Sequence, residues 1–108
     1  MKQRLLLLGS GLALFATCVA AQPAAELFRD ADLALGERLL QEHRCAACHA
    51  SRVGGDGSSI YRPAGRVANP GLLRGMVERC NTDMGLRLFP EEVSAIAAVL
   101  NRDHYRFK

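Results

Sequence analysis

Two thiols and an imidazole stand together at Cys45-Ala46-Ala47-Cys48-His49. Cysteine, two spacers, a second cysteine and an adjoining histidine is the pattern that attaches a c-type haem. Each thiol closes a thioether bond to one of two vinyl groups on adjacent pyrrole rings, and the histidine offers a ring nitrogen to the iron. The spacing predicts one covalent haem c, with Cys45 and Cys48 as attachment points and His49 as an axial iron ligand. Cys-x-x-Cys alone also suits a thiol–disulfide pair or half of a zinc site. The first belongs in a strand–helix context, and no strand alternation is visible. The second needs one more soft ligand, for which Cys80 or His104 is available.

The chain opens with a short basic stretch, Met1-Lys2-Gln3-Arg4. An apolar run from Leu5 to Ala16 follows, broken only by Gly9, Ser10 and Gly11. Val19-Ala20-Ala21 offers a cleavage site before Gln22, so 1–21 reads as a signal peptide and 22–108 as the mature domain. The apolar run falls short of the roughly 20 residues a spanning helix needs, so no transmembrane span is expected in the mature form. Cys18 would suit an acylated N-terminus, but Phe15-Ala16-Thr17 matches the usual Leu-small-small pattern poorly.

The mature portion keeps 87 of the 108 residues, enough for one small domain whose core alone is marginal. A buried haem would supply much of the missing apolar surface. Without Lys2 and Arg4 the 14 basic residues become 12, against 11 acidic, a formal charge of +1. Two haem propionates would bring this near −1. That balance gives no basic surface of the kind that binds nucleic acid.

The elements that must position the motif are helical. Residues 22–25 read as a loose leader. From about Asp30 to His43, Leu33, Gly36 and Leu40 form one stripe that Leu39 widens, with Asp30 or Asp32 as N-cap. Gly36 costs about 1 kcal/mol there relative to alanine, which points to a close approach by another backbone or helix. Ala50 to Asn69, with Gly54-Gly55-Asp56-Gly57-Ser58-Ser59 at its centre, reads as a long surface loop that wraps a cofactor edge. Ile60, Tyr61 and Val67 give that loop something to bury. Asn69-Pro70 starts a helix over 70–80, with Leu72, Leu73, Met76 and Val77 on its apolar face. Asn81 to Phe89 reads as a turn region. Pro90-Glu91-Glu92 opens a last helix, whose Val93, Ile96, Ala97 and Leu100 fit the helical template. Asn101 to Lys108 is a polar tail with Tyr105 and Phe107 interleaved.

Taken together, the mature chain resembles a class I (monohaem) cytochrome c. Leu35-Gly36-Glu37-Arg38-Leu39-Leu40 with the following motif is similar to that family's N-terminal helix and haem site. Leu88-Phe89-Pro90-Glu91-Glu92-Val93 through Leu100 is similar to its C-terminal helix. The resemblance implies an all-α, small cytochrome c-like fold, with N- and C-terminal helices crossing and a long loop around the covalent haem. It puts the crossing at Gly36, with Val99 in place of the usual aromatic partner. It also implies that a loop carbonyl, by position Pro63, accepts a hydrogen bond from the unligated nitrogen of His49. Haem attachment outside the bacterial cytoplasm agrees with an exported, periplasmic protein.

The residues leave the sixth iron position open. The family usually supplies a methionine before the last helix, and Met84 is the default candidate, since thioether on iron gives a closed, low-spin electron carrier. The register of the last helix instead puts Asn81 where that methionine falls. Cys80-Asn81 with Gly85 also resembles high-spin class I members in which an asparagine weakly ligates iron, although Leu88 stands where their second cysteine would be. Asn81 alternatively serves as a helix C-cap. His104, His43 and an open site complete the set. Met76 reads as core, and Cys80 as a small apolar residue beside the haem or a thiol able to pair between chains. The expected function is a one-electron carrier or electron-transfer subunit that meets its redox partner proteins transiently. The alternative is a high-spin protein that binds a gas or small ligand. No nucleophile–base pair is evident, and no enzyme is expected.

Overall fold

The computed structural model describes residues 11–17, 21–62 and 65–108. The expected cleavage site at 19–21, Cys18 and Pro63 therefore fall wholly or largely outside the described residues. Residues 11–17 have no regular structure, and Leu12, Leu14 and Phe15 are each about nine-tenths exposed.

Every regular element is helical, and no strand occurs among the described residues. Five α-helices follow in order: α1 Ala24–Leu27, α2 Leu33–Glu42, α3 Cys45–Val53, α4 Pro70–Met84 and α5 Pro90–Leu100. A 3₁₀ turn at Ser58–Ile60 lies between α3 and α4, and a π-helical turn at Asn101–Tyr105 continues α5. No helix is long and apolar enough to cross a membrane among the described residues.

Local chemistry sets the helix ends. The Asp32 carboxylate accepts from Leu35 N at 3.0 Å and starts α2. Asn69 Oδ1 accepts from Leu72 N at 2.9 Å, and Pro70 at the first helical position costs no donor. Glu92 Oε2 reaches back to Phe89 N at 2.8 Å, the return half of a capping box. The left-handed residue that stops α4 is Gly85, at φ +61°. The helix expected over 70–80 thus runs one turn further, and Asn81 lies within it rather than at its cap.

Three further expectations are corrected. The leader at residues 22–25 is partly ordered: α1 follows Pro23, and Ala24 N donates to the Lys108 carbonyl at 3.0 Å. The long loop from Ala50 is shorter, because α3 continues to Val53 and the 3₁₀ turn interrupts the rest. The tail folds back instead of trailing. Asn101 Oδ1 accepts from Phe107 N at 2.8 Å and its Nδ2 donates to Phe107 O at 3.2 Å, which brings Tyr105 into the core.

The core forms where α2 and α4 meet α5. Val93 and residues 95–100 of α5 are all buried, and Leu39, Leu73 and Val77 pack against them. The α2–α5 crossing is centred on Gly36. A Cβ built there would overlap the Ala95 carbonyl oxygen and lie 2.8 Å from Val99 Cγ2. The mid-helix glycine is explained by this backbone contact, and Val99 is one of its two partners, as the register predicted.

Candidate functional site

The Cys-x-x-Cys-His motif lies on α3, and the helix explains its spacing. Positions i, i+3 and i+4 share a helical face, so Cys45, Cys48 and His49 project together while Ala46 and Ala47 do not. The turn into α3 passes through Arg44 in the left-handed region, at φ +51°, which swings the motif away from the axis of α2.

All three side chains face a cavity of about 370 Å³, within the ~300–1,000 Å³ range of cofactor and small-molecule sites. Its walls are apolar: Leu40 from α2, Leu73 and Val77 from α4, and Ile96 and Leu100 from α5. Helix α4 adds a ladder of sulfur. Met76, Cys80 and Met84 recur at intervals of four residues, and all three line the cavity. Met76 and Cys80 are partly buried, whereas Met84 at the end of α4 is 53 % exposed. Arg62 and Arg66 bring positive charge to the lining, and no carboxylate is among the described residues there.

The segment after α3 is built to return to the motif. Gly57 sits at φ +84°, and a Cβ there would lie 2.7 Å from Ala46 O and Ala50 N and 2.9 Å from His49 Cβ. Only glycine allows the chain to press so closely on α3 in that conformation. Asp56 Oδ1 then accepts from Ser58 N at 2.9 Å and from Ser58 Oγ at 2.6 Å, which winds the 3₁₀ turn. Tyr61 follows, and its hydroxyl lies 2.9 Å from His49 Nδ1.

Burial sets the protonation states. It lowers the His49 pKa below the ordinary imidazole value, with a smaller contribution from the Arg52 charge, so the ring is neutral and able to bind a metal. Burial pushes the Cys45 and Cys80 thiols up. It also pushes the Tyr61 phenol up to about 12.

The candidate sixth ligands separate by position. Met84 lines the cavity, together with Met76 and Cys80. Asn81 is buried but is not among the lining residues, and both ends of its amide are bonded elsewhere. Its Oδ1 accepts from Leu88 N at 2.9 Å, and its Nδ2 donates to Leu88 O at 3.2 Å. His104 stacks on Tyr61, with ring centroids 4.5 Å apart, and does not line the cavity. His43 caps the C-terminus of α2, away from the lining. For the zinc alternative, no three His, Cys, Asp or Glu side chains converge as a metal site among the described residues.

Sequence reasoning missed the Tyr61 contact with His49, Arg62, Arg66 and the sulfur ladder. The four-residue recurrence of Met76, Cys80 and Met84 was a usable signal, hidden by the expectation that the helix ended at Cys80. Tyr61 was legible only as a loop residue with something to bury; its contact with His49 was not, because the Gly57 contact that delivers it is tertiary. No family model, no curated protein and no solved structure matches the chain. The fold and site define an all-α protein with a sulfur- and imidazole-lined apolar cavity.

Proposed function

We propose that this chain is an exported, periplasmic monohaem cytochrome of the class I c type, acting as a one-electron carrier or as the electron-transfer subunit of a redox complex. The observation that carries this reading is the placement of Cys45, Cys48 and His49 on one face of α3, opening into an apolar cavity that α4 lines with sulfur. The donor set fits the group: two thiols for thioether bonds, a neutral imidazole for iron, and thioether sulfur for a sixth position. Arg62 and Arg66 fit its two carboxylates. When bound, haem supplies a one-electron iron couple.

The chain's own residues do the remaining work. Leu73, Val77, Ile96 and Leu100 exclude water and keep the local dielectric low. The helical frame around α5 is close-packed, so a change of charge in the cavity moves few atoms. With haem bound, His49 would hold the iron through its ring nitrogen, and Met84 is the candidate for a second ligand. Leu12, Leu14 and Phe15 find no burial against the helices, which supports a leader that is not part of the working domain.

A second reading is a high-spin protein that binds a gas or small ligand. It is favoured by the exposure of Met84 and by the engagement of Asn81 with Leu88. The two readings share their first test. Protein matured with the export and haem-attachment machinery should retain haem through denaturation, with a matching mass increment. Cys45→Ser with Cys48→Ser should lose both. Colourless wild-type protein would end both readings. A low-spin oxidised spectrum with a weak near-infrared sulfur-to-iron band selects the carrier. A high-spin spectrum with rapid carbon monoxide binding on reduction selects the ligand binder.

A further inference from the structure

We propose that Tyr61 is the positioning residue of His49, holding the imidazole in register with the cavity through its hydroxyl. The inference rests on the haem reading and adds a residue to it. Its basis is the 2.9 Å separation between Tyr61 Oη and His49 Nδ1. A neutral imidazole carries one donor and one acceptor nitrogen. When Nε2 is given to a metal, Nδ1 carries the proton and donates a hydrogen bond to the tyrosine oxygen. When the proton sits on Nε2, the same hydroxyl turns and donates to Nδ1. A carbonyl in this place would serve only the first state. A hydroxyl serves both, so His49 keeps one orientation before and after haem attachment.

Tyr61 is itself held from several sides. Its ring packs edge-on to His49 at 5.3 Å, tilted against His104 at 4.5 Å and edge-on to Tyr105 at 6.1 Å. Its backbone approach is fixed by the Gly57 contact with α3 and by the Asp56–Ser58 turn. A side chain so constrained fixes its neighbour's ring instead of following it. Accepting the hydrogen bond from Nδ1–H raises the basicity of the ligating nitrogen and favours the oxidised metal.

The test compares wild type, Tyr61→Phe and protein carrying fluorotyrosine at position 61, all matured with haem. The readouts are retained haem mass, reduction potential and the His49 Nδ1–H proton resonance. Tyr61→Phe should keep its haem and lose about tenfold of its preference for the oxidised state. That loss is a potential raised by about 59 mV for one electron. The Nδ1–H resonance should move upfield. Fluorotyrosine, a weaker acceptor of nearly the same shape, should shift both readouts the same way by less. If Tyr61→Phe fails to fold, the fluorotyrosine protein decides: a graded shift supports the role, and unchanged values overturn it. Unchanged potential and resonance in haem-loaded Tyr61→Phe overturn the positioning role and leave the haem reading standing. Wild-type protein without covalent haem overturns both.

Discussion

Asn81 and Leu88 are joined by a two-way clasp, in which the side-chain amide both accepts from and donates to the Leu88 backbone. The clasp ties the end of α4 to the approach to α5, and so fixes the segment on which Met84 sits. Asn81→Ala leaves a partly buried N–H and C=O without partners. It should destabilise the fold by about 1–3 kcal/mol in denaturant unfolding. The visible spectrum of the haem-loaded protein should not change. A switch of spin state in this variant would instead put the Asn81 side chain on the iron.

Met84 and Met76 both line the cavity, but only Met84 stands at a helix end beside a left-handed glycine. Met84→Ala should abolish the near-infrared sulfur-to-iron band and convert the oxidised protein to high spin. Met76→Ala should keep the band and lose about 2–5 kcal/mol of stability at most, since this side chain is only partly buried. Reversal of the two results would assign the ligand to Met76.

Two glycines in helices should respond in opposite directions to alanine. At Gly36 the added methyl meets the Ala95 carbonyl, and overpacking of this kind costs about 1–3 kcal/mol. At Gly75 nothing lies within 4 Å of a Cβ, so Gly75→Ala should gain about 0.5–1 kcal/mol from helix propensity alone. Thermal or denaturant unfolding of the pair checks the helix crossing directly.

Burial pushes the Tyr61 phenol up to about 12 and also raises that of Tyr105, the only other tyrosine. Little tyrosinate should therefore form at pH 10, where an unfolded chain would already be half ionised. Between pH 10 and 12 the unfolded state binds fewer protons than the folded one, so stability falls as pH rises through this window. The contribution is complete below pH 10 and spent above 12. Tyrosinate absorbance followed alongside circular dichroism tests this, and Tyr61→Phe should flatten the dependence.

The parts of the fold that were legible in the sequence are those fixed within a few residues. Asp32, Asn69-Pro70 and Pro90-Glu91-Glu92 start their helices through contacts three positions away; the last two starts are where the residues put them, and of the two aspartates offered for the first, Asp32 is the cap. Gly36 was legible as a crossing because a glycine inside an amphipathic stripe has a cost that something must offset. The end of α4 was misplaced because Asn81 looks like a cap locally, while its amide is occupied by Leu88 across a turn. Helix α3 itself was not expected, although Ala46, Ala47 and Ala50 are strong helix formers; the glycines beyond Val53 masked it. In the site, Cys45, Cys48 and His49 were legible as a set. Their shared cavity, its arginines and the Tyr61 contact depend on elements that meet only after folding.

Helix α5 supplies the buried centre of the described residues, yet it is synthesised after α2 and α4, the helices it packs against. Its contact with Gly36 joins the two ends of the helical chain, and loops of that span must close before the contact contributes anything. A nascent chain therefore stays open around Cys45 and Cys48 until α5 has been made. If the two thiols carry haem as proposed, late closure would leave an interval in which both could be reached before the walls assemble around them.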